Sequence, residues 1–178
     1  MRLSTLLETV ELNDDTVDTQ NVTQGLTYSG PSVTIGSQTW MSKNLDVDDG
    51  GDGIYHHNGE TFYSWDAAKR VCSKLNGWHL PFNAEWRKLI NFCGGPGIAD
   101  EMLKSKEFSH GDGRATNDAF YKDPLGFTAL PVGHAYGDGF FNGSRVAVFW
   151  SATQFNKERA YCAEITWIDG VLLSYVRR

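Results

Sequence analysis

The chain has 178 residues and a mass of 19.8 kDa, enough for one domain with little to spare. Its net charge of −6 and pI near 5.3 argue against nucleic acid or an anionic membrane as the main partner, and no apolar run approaches the roughly 20 residues of a membrane span. Six Trp, seven Tyr and ten Phe beside 19 Gly suggest short elements joined by tight loops, with aromatics divided between core and interface.

Residues 1–30 read as an N-terminal arm, docked or mobile, with Leu3, Leu6, Leu7 and Val10 as a short apolar stripe before a polar stretch. The arm lacks the apolar region of a signal peptide, so the expected location is the cytoplasm, or a virion or other particle assembled there. One domain is expected over residues 31–178. Ser32 to Met41 has the pattern of a β-hairpin turning at Gly36-Ser37, and Asp46 to Gly53 is an acidic, Gly-rich loop. Ser64 offers an N-cap for a helix whose apolar stripe is Trp65, Ala68, Cys72 and Leu75, ended by Gly77. Gly77 to Pro81 is expected as a brief strand. A second helix, capped by Asn83, carries Trp86, Leu89, Ile90 and Cys93 on one face and stops at Gly94-Gly95-Pro96. A shorter helical piece covers Ile98 to Ser105, and Ser109 to Lys122 is loop.

The last third reads as β. Gly126–Leu130, Ala147–Ala152, Ala160–Trp167 and Val171–Arg177 are strand candidates, the final pair joined by Asp169-Gly170, and His134 to Arg145 is a glycine-punctuated loop. Helices early and antiparallel strands late make the class α+β.

Several strings occur in one order: Val33 to Leu45 (VTIGSQTWMSKNL), Phe62 to Ala68 (FYSWDAA), Gly77-Trp-His-Leu-Pro81 with Ala84-Glu-Trp86, Leu103-Lys-Ser105, Gly126 to Pro131 (GFTALP), Asp138-Gly139, and Phe149 to Thr153 (FWSAT). Together they resemble the Fibrobacter succinogenes major paralogous domain over about residues 32–178. That family is similar to C-type lectin folds and to formylglycine-generating-enzyme-like domains. The resemblance implies a C-type-lectin-like fold, two helices on a twisted antiparallel sheet with long loops at one end. Some members of the family are variable proteins of diversity-generating retroelements, in which the C-terminal stretch is diversified and binds ligand. This chain departs at its end, where Leu-Leu-Ser-Tyr-Val-Arg replaces the family's Ser-Val-Arg-Cys-Val-Arg. Tyr175 takes the cysteine's place, so the disulfide that the resemblance would suggest cannot form. The segment after Ala160 is also shorter than usual.

Two stretches have the mixed aromatic, amide and glycine composition that antibody-type paratopes use. The first supplies His134, Tyr136, Asp138, Phe140, Phe141, Asn142, Ser144 and Arg145. The second supplies Phe155, Asn156, Lys157 and Arg159, followed by Cys162, Glu164 and Trp167. These are the expected ligand-binding residues, for a protein or glycan partner; a solvated loop set is the competing reading, and an assembly module of a virion or surface complex is the alternative function. No catalytic residue and no cofactor are expected. Asp46, Asp48, Asp49 and Asp52 are a weak calcium alternative, because the spacing departs from the EF-hand loop and no Glu closes it. Cys72, Cys93 and Cys162 are odd in number, follow no metal-ligand spacing and are expected as reduced thiols. A cysteine-based oxidase needs two cooperating thiols, and Cys72 and Cys93 belong to separate apolar faces.

Overall fold

The structure, a computed structural model, describes residues 26–108, 123–136, 139–168 and 170–178, together with the backbone of residues 4–5. Ten strands and three helices are defined among them. In chain order these are β1 (Ser4–Thr5), β2 (Ser32–Ile35), β3 (Gln38–Met41), β4 (Ile54–His57), β5 (Glu60–Tyr63), α1 (Trp65–Cys72), α2 (Asn83–Phe92), α3 (Pro96–Leu103), β6 (His134–Tyr136), β7 (Gly139–Phe141), β8 (Val146–Gln154), β9 (Arg159–Thr166) and β10 (Val171–Arg177). The strands form small antiparallel sheets in the orders β1-β3-β2, β4-β5, β6-β7 and β10-β9-β8. No helix among the described residues is long and apolar enough to cross a membrane.

Local chemistry accounts for the helix boundaries. Ser64 is extended and its hydroxyl accepts the Ala67 N–H, as the sequence predicts for α1. The helix nevertheless ends at Cys72, not at Gly77, with Ser73 as C-cap; Leu75 stays buried beyond it and bridges Leu26. Asn83 is the first residue of α2 and not its cap. Phe82 holds the cap position, and Glu85 caps from inside the helix by accepting the Phe82 N–H at 2.7 Å. Two expected strands are absent. Gly77–Pro81 is turn and coil apart from a single bridge position at His79, tied in when Pro81 O accepts the Ala152 N–H. Gly126–Leu130 cannot run extended because Gly126 and Thr128 have φ of 70° and 54°; it makes one isolated bridge, Ala129 to Lys104. The hairpin β4–β5 was unexpected, although its turn, Asn58-Gly59 with φ of 50° and 78°, is a strong hairpin signal. The stretch His134–Arg145, read as loop, contains the hairpin β6–β7. The expected loop at Ser109–Lys122 lies outside the described residues.

Two cores share the terminal sheet. The first gathers Trp40, Trp86, Leu89, Phe127 and Phe149 with Ala147, Ala163, Ile165 and Val171. The second gathers Met41, Leu45, Tyr63, Ala67, Val71 and Leu80, with Trp150 packed against it. Trp40 and Trp86 lie 4.9 Å apart, and Trp86 and Phe149 5.6 Å. Lys104, fully buried, closes an ion pair to Asp100 at 2.6 Å. Removing Trp86 deletes a large side chain from the first core, so Trp86→Ala should lower the unfolding free energy by about 3–5 kcal/mol. Trp78, half-buried at the rim of the second core, should cost less as Trp78→Ala. Urea unfolding of both variants checks the order.

Candidate functional site

Register decides which side chains the terminal sheet shows. Residues directly opposite share a face, and neighbours along a strand alternate. The rows Ala147↔Ile165↔Val171 and Phe149↔Ala163↔Leu173 face the first core. The rows Val148↔Glu164↔Leu172 and Trp150↔Cys162↔Ser174 therefore occupy the other face. The hairpin β6–β7 stands beside that second face. Gly133 N–H donates to Val146 O at 2.8 Å, and Gly133 makes a parallel bridge to Ala147. Any side chain at Gly133 (φ 78°) would collide with the Phe141 carbonyl oxygen. Phe140 pins the hairpin from behind by stacking on His57 at 4.0 Å and meeting Phe62 edge-on.

A groove results. One recess of about 290 Å³ is lined by His134, Ala135, Tyr136, Val148, Glu164, Val176 and Arg177. A second of about 280 Å³ is lined by His134, Asn142, Arg145, Val146, Val148, Glu164, Thr166, Trp167 and Ile168. They share His134, Val148 and Glu164. Tyr136 is 67% exposed at the rim. The Ser174 hydroxyl donates to the Glu164 carboxylate, which fixes the acid on the groove floor. Asn142 and Ser144 hold left-handed backbone, φ 59° and 69°, in a turn closed by Arg145 N–H to Asn142 O at 3.1 Å. Thus His134, Tyr136, Asn142, Arg145, Glu164 and Trp167 are brought together from separate parts of the sequence.

The other expected site residues go elsewhere. Phe155 stacks on Tyr175 at 3.9 Å, with Tyr161 edge-on to both and the Arg159 guanidinium 5.7 Å from the Tyr175 ring. Tyr161 and Tyr175 belong to the row after Ala163↔Leu173 in face alternation, so this cluster lies on the face opposite the groove. Lys157 is exposed in the same β8–β9 turn, where the Asn156 side-chain oxygen accepts the N–H groups of Glu158 and Arg159. Phe141 is exposed, its ring 6.0 Å from His134. Ser144 borders a different hollow with His57 and Glu60. Two residues are corrected as displayed groups. Cys162 is fully buried, held at 3.1 Å from the Ser174 hydroxyl, and Phe140 is half-buried in its stack on His57. Asp138 lies outside the described residues. Sequence reasoning missed Tyr161, Tyr175, Val148 and Val176; the alternation along two strands, carried through from the buried Ala163, was the signal that could have found them.

The thiols are unsuited to nucleophilic work. Burial pushes Cys72 and Cys162 up to about 12 and Cys93 up to about 11, so each is protonated at neutral pH. The acidic loop is an ion-paired staple. Arg70 reaches Asp49 with two bonds of 3.0 Å and Lys74 with one of 2.7 Å, while Asp48 takes His56 at 3.0 Å and Lys43 stands 3.5 Å from Asp46. Arg70 also donates to the backbone oxygen of Asp52. These contacts turn the carboxylates toward cations of the chain itself, and among the described residues no three His, Cys, Asp or Glu side chains gather as metal ligands. The hydrogen bonds from Arg70, then Lys74, hold Asp49 far below the usual carboxylate range. A carboxylate depressed in the folded state stabilises above its unfolded pKa of about 4, and that contribution fades as pH falls below it. Asp49→Asn should therefore lower the melting temperature at pH 7 and reduce its fall between pH 5 and pH 2.5; equal pH slopes in the two proteins would contradict the assignment.

No curated protein and no solved structure matches the chain. The sequence pattern of the Fibrobacter succinogenes major domain matches residues 33–172, which span every helix and all strands from β3 to β9. The chain belongs to the Fibrobacter succinogenes major domain family.

Proposed function

We propose that this chain is a ligand-binding domain, not an enzyme, and that it recognises a protein or glycan partner through the groove between the β6–β7 hairpin and the terminal sheet. The observation that carries this reading is the convergence of His134, Tyr136, Asn142, Arg145, Glu164 and Trp167 on one depression from four separate elements and turns. An exposed ring, an amide and charged groups on a floor of Val148 and Val176 combine contact area with directional hydrogen bonding. The scaffold beneath is rigid, so little ordering entropy is lost on binding. The thiols, protonated and buried, support binding over catalysis. Helices packed against an antiparallel terminal sheet support a C-type-lectin-like reading of the fold. Within that reading the C-terminal third is the diversified surface of a retroelement variable protein, working in the cytoplasm or on a virion. Neighbouring DNA tests this part: a near-repeat of the C-terminal codons, differing at adenines and beside a reverse transcriptase, supports it, and its absence defeats it.

One observation favours an assembly module as the second reading. β10 is the end strand of its sheet and exposes Leu172 and Val176. A concentration-dependent oligomer in sedimentation, abolished by Leu172→Lys, would favour assembly over ligand display. The groove itself is tested by Tyr136→Ala with Glu164→Gln. Both positions are at least partly exposed, so melting should shift little, whereas affinity for a partner selected from glycan and surface-protein arrays should fall at least tenfold. Unchanged affinity would put the partner on another face.

A further inference from the structure

Behind the groove lies a smaller recess that holds an unanswered polar group. It has a volume of about 80 Å³ and is walled by Phe62, Tyr63, Val132, Val148, Phe149 and Trp150, with Asn44 among them. His134, Ala135 and Val148 line this recess and the groove alike, so the two adjoin. Asn44 is only 5% exposed, and its side-chain oxygen has no hydrogen-bond partner. The orientation of its amide is fixed, because Nδ2 donates to Glu60 Oε2 at 2.8 Å and a carboxylate only accepts. Glu60 borders the separate hollow with Ser144, so the opposite end of the amide, Oδ1, is left for the recess. A buried acceptor with no donor costs stability until something supplies one.

Water answers this need poorly. A buried water takes roughly two to four polar partners, and the other polar side chains on the walls are engaged. The Thr61 hydroxyl pairs with His56 Nδ1 at 3.2 Å, the Tyr63 hydroxyl donates to Val47 O at 2.8 Å, and Trp150 Nε1 donates to Tyr63 O at 2.8 Å. What remains is one acceptor within apolar walls. At the mouth stands the His134 imidazole, which is hydrogen-bonded to no described residue. The complement is a small apolar body with one donor for Asn44 and one acceptor for His134. An acetamido group has this composition: an N–H, a methyl for the ring walls, and a carbonyl. Its four non-hydrogen atoms fit, since roughly 10–15 Å³ of such space holds one water. An alkylammonium would bring three donors and a charge to a single acceptor, and burying that charge is costly.

We propose that the recess is the anchoring subsite of the groove and takes the acetamido group of an N-acetylated sugar, whose pyranose ring lies in the groove beside Tyr136. The proposal rests on the groove as the binding surface and names the class of glycan it takes. Tyr136, exposed at the rim, offers a ring to the sugar, and Glu164 offers a carboxylate to its hydroxyl groups. An acetyllysine side chain carries the same acetamido group but has no hydroxyl groups for Glu164. Asn44, Phe62, Tyr63 and Trp150 lie outside the two stretches that supply the rim, so the anchor stays constant whatever the rim displays.

The test titrates the full, isotope-labelled chain by NMR with four probes: the methyl glycosides of N-acetylglucosamine, glucosamine and glucose, and an acetyllysine amide. The N-acetylglucosaminide should bind saturably, shift the Asn44 side-chain amide signals, and show Overhauser contacts from its acetyl methyl to the Trp150 ring. The other three probes should bind at least tenfold more weakly. Asn44→Leu should weaken the N-acetylglucosaminide at least tenfold, and so should Val148→Phe, which fills the recess and leaves the acceptor in place. Val148 is partly exposed, so this second variant carries the test even where Asn44→Leu fails to fold; melting curves of both decide that point. Absence of saturable binding, as for a recess filled by water alone, equal binding of the glucoside, or tighter binding of the acetyllysine amide would each overturn the proposal. Its failure is distinct from failure of the groove. If no N-acetylglucosaminide binds while Tyr136→Ala with Glu164→Gln still loses the array-selected partner, the acetamido assignment falls and the groove stands. If Asn44→Leu loses the sugar while that double variant keeps its partner, the recess stands and the groove reading falls.

Discussion

The packing of Trp86 against Phe149, with Trp40 and Phe127 closing around them, is the constraint on which the rest of the molecule depends. It fixes the face that β8 turns inward, and β8 fixes β9 and β10 through continuous register. A slip of one residue would send Glu164 into the core and Ala163 into the groove, and each would be unfavourable: the first buries a charge, the second strips the core of its close contact. The proposed groove is thus a consequence of one interior arrangement. Trp150 makes the arrangement two-sided. It sits on the groove face but packs into the second core and donates to Tyr63 O at 2.8 Å, so the groove begins only where that packing ends, at Val148.

Much of the scaffold was legible because short-range chemistry and tertiary packing agree there. The Ser64 cap, the hairpin at Gly36-Ser37 and the three C-terminal strands follow from side-chain oxygen, glycine and alternation at the right spacings. The misreadings have separate causes. Gly126–Leu130 has strand-like composition, yet Thr128 is driven to positive φ by a turn in which its hydroxyl donates to Asp123 at 2.7 Å. Asn83 is a good capping residue by type, but its backbone N–H is taken by the Thr153 hydroxyl and Glu85 supplies the cap from within. The Asn58-Gly59 turn was readable and was passed over between the acidic loop and the first helix.

The site was legible in composition and not in geometry. Tyr136 and Phe155 belong to similar aromatic and amide-rich stretches, and nothing in their neighbours says that one faces the groove and the other the opposite face. The irregular register between Trp150 and Gln154 intervenes, and only the pairing of Tyr161 with Tyr175 reveals the side on which Phe155 stacks. Cys162 shows the same limit. Alternation assigns it to the groove face beside Glu164, while Trp150 and Ser174 on either side bury it completely. Face follows from spacing, but burial depends on what the neighbouring strands bring.

On the proposed reading, the backbone hydrogen bonds also separate positions that tolerate replacement from those that restrict it. Tyr136 and Lys157 contribute exposed side chains whose backbone is held by neighbours, so many residues fit there without changing the fold. Asn156 is different, because its side-chain oxygen closes the turn that carries Arg159; Asp or Ser would keep such an acceptor, and Tyr would not. Asn142 is limited by its left-handed φ of 59°, which Gly and Asp adopt readily and β-branched residues do not. A surface varied through Asn, Asp, Ser and Gly at the turns, and through aromatics at the strand positions, could therefore change its contacts repeatedly while the Trp86–Phe149 interior stays the same. Rigidity of the sheet is what makes such variation compatible with folding.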